Sequence, residues 1–98
     1  MSRYLLLWEA EVDRYPSDPN EIAEINAKLR EMTKRGIDDG QVKSWGSSVD
    51  GISGYSIVEG TGRELYAGMR RFYPYITFQV QEILTLEELE EAEKLEIG

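Results

Sequence analysis

The chain of 98 residues contains neither cysteine nor histidine, and these two absences exclude several kinds of chemistry. Without cysteine there is no disulfide bond, no thiol nucleophile and no iron–sulfur cluster. Zinc sites are built mostly from cysteine and histidine, and histidine is the usual general base near neutral pH. Carboxylates, phenols, amines, guanidinium groups, hydroxyls and backbone groups remain. We therefore expect no metal and no cofactor.

Long hydrophobic runs are also absent. The longest apolar run, residues 4–8, has five side chains, whereas a membrane-spanning helix needs roughly 18 or more. It is too short for the core of a signal peptide, and Glu9 and Glu11 follow it closely. The length fits a single domain over residues 1–98. Together with the lack of cysteine, these features predict a cytoplasmic protein without a membrane partner.

Basic side chains are few. There are 11 lysines and arginines against 19 aspartates and glutamates, which gives a net charge of −8. Residues 82–98 alone hold seven of the acids and a single base, Lys94. A protein that binds nucleic acid needs a basic surface to displace counterions from phosphates. No segment supplies one, so we do not expect nucleic acid as a partner.

Four segments have the composition or the alternation of β-strands. They are residues 3–12, 42–49, 54–59 and 76–81. Every side chain in residues 4–8 is apolar, which is typical of a strand that is covered on both faces. The short link at residues 50–53 contains glycine and has the length of a hairpin connection, so the second and third strands should be antiparallel neighbours.

Three helices are predicted from their N-terminal caps, in which a capping side chain is followed three residues later by glutamate. The three pairs are Asp18 with Glu21, Thr61 with Glu64, and Thr85 with Glu88. The first helix should end at Gly36 or Gly40, and Gly40 is the stronger signal because two aspartates precede it. Pro74 should end the second helix.

This order of elements predicts an α+β fold. A βαββαβ succession is typical of the ferredoxin-like plan, a four-stranded antiparallel sheet of order 4-1-3-2 with both helices on one face, followed here by a C-terminal helix. The other face of the sheet is then bare. Because Trp8, Trp45 and Tyr55 add apolar surface to these strands, we expect a homodimer in which a second copy covers that face.

Five segments carry a resemblance that covers nearly the whole chain. They are YLLLWEAEV, VKSWGSSV, GYSIVEG, RRFYPY and ITFQVQEIL. In spacing and order they resemble the dimeric α/β-barrel superfamily, and within it a group of small uncharacterised domains. The resemblance implies two sheets that meet face to face as a barrel. Relatives in that superfamily include muconolactone isomerases, cofactor-free quinone-forming monooxygenases and haem-binding proteins, but the histidines that several of them use are absent here.

A pocket for a small organic ligand is predicted from four residues. Trp45, Tyr55, Glu59 and Tyr73 lie near the ends of strands and helices, where aromatic rings can stack on a flat molecule. If Glu59 is partly buried, its pKa is raised and it can accept a proton, with Tyr55 as the donor. In the alternative, Glu59 lies at the rim, either solvated or paired with an arginine, and the aromatic rings, Tyr75 included, serve packing.

Two further features have a chemical and a structural interpretation. The Gly60-Thr61-Gly62 sequence lies between a strand and a helix, as in phosphate-binding loops, but Leu65 stands where the dinucleotide pattern needs glycine. A strand end and a helix cap explain it better. Glu9 and Glu11 share one face of the first strand and are candidate metal ligands, although two carboxylates alone make a poor cation site.

Three functions remain open from the sequence. The first is a homodimeric barrel that binds a small organic molecule between the sheet and the helices. The second is a cofactor-free isomerase or monooxygenase with Glu59 as its catalytic base. The third is a non-catalytic interaction module that docks through its acidic C-terminal helix. A filled interior would favour the third function, and an open one the first two.

Overall fold

The structure, a computed structural model, describes residues 2–97. Its strands are β1 (Ser2–Ala10), β2 (Val42–Ser47), β3 (Ser53–Gly60) and β4 (Ile76–Ile83). Its helices are α1 (Pro19–Asp38), α2 (Gly62–Arg70) and α3 (Leu86–Ile97). A short 3₁₀ turn, Val12–Arg14, follows β1. The α+β class and the order of elements agree with the prediction.

The four strands form one antiparallel sheet in the order β2-β3-β1-β4. This is the succession 4-1-3-2 counted from the opposite edge. The strands β2 and β4 are therefore the edges, and β1 lies between β3 and β4. The open sheet belongs to a single chain, so the closure of a barrel with a second copy stays a prediction.

Helix ends follow the predicted caps closely. The pairs Thr61–Glu64 and Thr85–Glu88 form reciprocal hydrogen bonds of 2.9–3.2 Å, as a capping box requires. At α1 the Asp18 side chain accepts from the backbone N–H of Asn20, and the predicted return bond from Glu21 is not among the hydrogen bonds of the described residues. Gly40 has φ of 81°, which confirms it as the left-handed residue after α1.

Strand ends were predicted less well. The first strand stops at Ala10 rather than residue 12, because the 3₁₀ turn begins there. The second stops at Ser47 rather than residue 49, because Ser48 turns the chain: its hydroxyl donates to the Ser53 carbonyl oxygen, and its own carbonyl oxygen accepts from the Gly51 N–H. Both differences arise from side-chain and turn hydrogen bonds that an alternation pattern does not report.

The two faces of the sheet differ in what covers them. Tyr4, Leu6 and Trp8 of β1 point to the side of α1 and α2, whereas Leu5 and Leu7 point to the bare side. The most buried hydrophobic residues all lie on the helical side. They are Leu6, Trp8, Leu29 and Leu65. The core is therefore a thin layer between β1 and the two helices.

Packing in this layer is loose, and the molecule is elongated. The Cα radius of gyration is 16.1 Å and the longest dimension 60 Å, whereas a compact domain of about 100 residues has a radius of roughly 13 Å. No side chain among the described residues is completely buried. On α3 the leucines 86, 89 and 95 are exposed. No helix within residues 2–97 has both the length and the apolar character needed to cross a bilayer.

Candidate functional site

A wide cleft separates the helical face of the sheet from α1 and α2. Its volume is about 1710 Å³, and it is open to solvent on one side. Its walls include Leu6 and Trp8 from β1, Trp45 from β2, Leu29 from α1 and Leu65 from α2. Ligand pockets in proteins commonly measure roughly 300–1,000 Å³. The volume of the cleft therefore exceeds what a small organic molecule needs.

Two tryptophans form an aromatic wall of this cleft. The ring centroids of Trp8 and Trp45 are 5.6 Å apart and their planes differ by 11°, so the rings are stacked with an offset. Trp8 is 9% exposed, and Trp45 is 42% exposed. Trp45, the outer ring, therefore keeps exposed surface, and Trp8, the inner ring, supports it through the stack.

Glycine makes room for the inner ring. Gly54 of β3 lies directly opposite Trp8 of β1, and a Cβ at position 54 would be 2.6 Å from Cε2 and Cζ2 of the indole. A glycine inside a strand often marks such a close approach. The indole N–H of Trp8 is buried and donates to no other protein atom of the described residues. This donor is enclosed within the protein, so it is not exposed to the cleft.

Tyr55 lies on the other face of the sheet. It faces Leu7 on one side and Gly46 on the other, and its hydroxyl is 2.9 Å from Ser44 Oγ. Its ring covers Gly46, where any Cβ would collide with it. Trp45 points to the helical side, so these two predicted pocket residues are separated by the sheet.

Glu59 lies opposite Arg3 across β3 and β1 and also borders the cleft, and its surroundings do not support the expected catalytic base. Arg3 Nη2 is 2.7 Å from Glu59 Oε2, and Lys43 Nζ is 3.9 Å from Oε1. The hydrogen bond from Arg3, helped by the charge of Lys43, lowers the pKa of the Glu59 carboxyl. The expectation of a raised pKa is wrong, and the alternative pairing with an arginine is confirmed.

Tyr73 stands at a third place, beyond the end of α2. Its ring is 55% exposed, with the guanidinium carbons of Arg14 and Arg70 at 5.8 and 5.0 Å from its centroid. Nearby Tyr75 packs against Tyr15 at 5.0 Å, and burial raises the pKa of the Tyr15 phenol. The four predicted site residues therefore do not surround one pocket, and only Trp45 has its ring in the aromatic wall.

Glu11 and the Gly60-Thr61-Gly62 sequence have structural roles. Glu11 Oε2 accepts from the Thr77 hydroxyl at 2.9 Å, and the residues described hold no group of three acidic side chains suited to a metal ion. At Gly60-Thr61-Gly62, the Thr61 and Glu64 side chains accept hydrogen bonds from each other's backbone N–H groups at the start of α2. That hydrogen bonding also lowers the pKa of Glu64. The structural interpretation, a strand end and helix cap, is confirmed.

The residue that the sequence analysis missed as a site residue is Trp8. Its position two residues after Leu6 could have indicated that it faces the core, since both residues lie on the same face of β1. The glycine opposite it could not be identified without the strand register. Comparison with other proteins adds no assignment: the chain matches no protein-family model and shows no significant sequence similarity to a curated protein.

Proposed function

We propose that this chain is a homodimer that binds a small, planar organic molecule in the cleft between its sheet and helices. The single observation that carries the binding proposal is the Trp8–Trp45 stack in the wall of a cleft of about 1710 Å³. A flat aromatic ligand can continue the stack on the free surface of Trp45. Such aromatic pairs contribute roughly 0.5–1.5 kcal/mol beyond the burial of area.

The proposed dimer rests on the bare face of the sheet. Leu5 and Leu7 of β1 lie there beside Tyr55 and Ile57 of β3, and Leu7 is 47% exposed. A contiguous apolar patch in the middle of a sheet, with polar side chains around it, is typical of a protein interface. A second copy supplies an identical patch.

An isomerase or monooxygenase that uses Glu59 as a base gains no support from the geometry. The carboxylate is held by Arg3 and its pKa is lowered, although Glu59 borders the cleft. The interaction module has one observation in its favour, which is that three leucines of the acidic helix α3 are exposed. It is the second candidate function.

The binding proposal is tested first on the protein as purified. Native mass spectrometry should show an adduct on the 11.3 kDa chain or its dimer, and the adduct can then be identified after denaturation. The chain has only two tryptophans, so their fluorescence reports directly on the cleft. The dye 8-anilinonaphthalene-1-sulfonate serves as a planar probe, with energy transfer from tryptophan as the signal.

The variant Trp45→Ala should weaken saturable binding of this dye by about three- to tenfold. Val49→Ala is the control, because it removes an exposed apolar side chain in the loop after β2 that is not part of the cleft wall. Equal dye affinity in the wild type and in both variants would contradict the proposed site.

A further inference from the structure

Charge is distributed unevenly along the length of the molecule. The acidic helix α3 follows the end of β4, where Ile83 lies opposite Arg3, the second residue of β1. At the other end of the sheet, Ala10 lies opposite Ile76. The three basic residues of that end are Arg14, Arg70 and Arg71. One end of the sheet therefore continues into an acidic helix, and the other end carries these three arginines together with Glu9, Glu11 and Asp13.

The end that holds the arginines also contains an apolar hollow at the edge of the sheet. It measures about 260 Å³ and is lined by Tyr66, Met69 and Tyr73 with Ile76 and Phe78 of β4. Arg70 belongs to its lining, and Arg14 lies over the same tyrosine ring. Among the described residues, no carboxylate lies within 4.0 Å of either guanidinium group. The hollow thus combines exposed apolar surface with positive charge.

Helix α3 has the complementary surface. Leu86 and Leu89 are 72% and 45% exposed, and between and beyond them the helix carries glutamates. In the structure the helix does not line the hollow of its own chain. The strand length from Arg3 to Ala10 separates the two ends by roughly 23 Å at about 3.3 Å per residue, and α3 follows the far end. A second molecule can bring the two surfaces together.

We propose that α3 of one copy packs against the hollow at the β4 edge of a second copy. A two-fold axis perpendicular to the strands places α3 of each copy beside the hollow and the arginines of its partner, so that the contact forms twice. Leucines of α3 enter the apolar hollow, and its glutamates pair with Arg14 and Arg70 at the rim. This inference rests on the proposed homodimer and specifies how the copies are oriented.

Cross-linking gives the direct test, because the chain has no cysteine of its own. A tagged chain with Leu89→Cys is mixed with an untagged chain with Tyr66→Cys, and a short bismaleimide is added. The expected product joins the tagged and the untagged chain. Val49→Cys replaces Tyr66→Cys as the control, because Val49 is fully exposed in the loop at the same end of the sheet but beside the other edge.

A charge exchange provides the second measurement. Arg70→Glu should raise the dissociation constant of the dimer by roughly three- to tenfold, and Glu90→Lys with Glu93→Lys on α3 should restore it when combined with Arg70→Glu. Lys28→Glu, on the exposed surface of α1, is the control for the change in net charge.

The outcomes separate this inference from the dimer itself. A chain that stays monomeric in light scattering overturns both the dimer and the placement of α3. A dimer that gives no interchain product, or equal amounts with the Tyr66 and Val49 variants, overturns only the placement of α3. If Arg70→Glu weakens the dimer and the α3 substitutions do not restore its affinity, the placement of α3 is likewise overturned while the dimer stands.

Discussion

Trp8 and Gly54 lie opposite each other across β1 and β3, and the indole ring occupies the space that any side chain at position 54 would need. This pair sets the position of the aromatic wall. If the indole were displaced, Trp45 would lose the ring against which it stacks, since their centroids are only 5.6 Å apart. The width of the cleft therefore depends on a residue with no side chain.

The first prediction concerns that glycine. Gly54→Ala should lower the free energy of unfolding by about 1–3 kcal/mol, because the new methyl group collides with Trp8 and with the carbonyl oxygen of Gly46. Gly68→Ala is the matched control: its Cβ meets nothing within 4 Å, so it should stabilise α2 by about 0.5–1 kcal/mol. Urea denaturation measures both. Equal effects of the two variants would show that the Trp8 ring is not fixed by Gly54.

The second prediction concerns the pH dependence of stability. The pKa of Glu59 is lower in the folded chain than in the unfolded chain, so its ion pair with Arg3 stabilises the fold above the unfolded pKa. That contribution is lost as the pH falls through the folded pKa. Glu59→Gln should therefore destabilise the protein at pH 7 and have a smaller effect near pH 3.

Denaturation at both pH values measures this difference. The control is Glu24→Gln, which removes one exposed carboxylate from α1. A Glu59→Gln variant whose destabilisation grows on acidification would contradict the direction of the pKa shift and would restore Glu59 as a candidate base.

The third prediction compares the stabilising effects of the N-terminal caps of α2 and α3, which form the same hydrogen bonds. Thr61→Ala should lower the free energy of unfolding by about 1 kcal/mol, because α2 covers the core with Leu65. Thr85→Ala should loosen only α3, whose leucines are exposed in the isolated chain. Hydrogen exchange at low protein concentration should then be faster in residues 86–95 alone. Faster exchange throughout the sheet would show that α3 packs against its own chain.

Local signals in the sequence predicted most of the fold. The capping residues Thr61 and Thr85 act within four residues of themselves, and Gly40 ends α1 by its own backbone conformation. The alternation in β4 likewise needs no partner to be recognised. Each of these features depends on residues that are close together in the sequence, so it could be predicted without knowledge of the tertiary structure.

The site depends on relationships that are not local. In β2 the register shifts between Val42 and Ser44, so an extra residue turns Trp45 to the same face as Val42. Strict alternation from Val42 would put Trp45 on the face of Tyr55, which is where the predicted pocket required it. The pairing of Glu59 with Arg3 joins residues 56 positions apart. Neither the bulge nor this pairing has a signature in the sequence.

The last prediction concerns the bare face of the sheet. Leu7 is 47% exposed in the middle of that face, so its side chain adds little to the core of one chain but lies at the centre of the proposed dimer. Leu7→Glu places two carboxylates near the two-fold axis and should give a folded monomer of about 11.3 kDa in light scattering at micromolar concentration. Circular dichroism should stay like that of the wild type. Val49→Glu adds the same charge in an exposed loop and should remain dimeric. If Leu7→Glu keeps twice the chain mass, the two copies do not meet through this face, since a charged side chain could not be buried there without a partner.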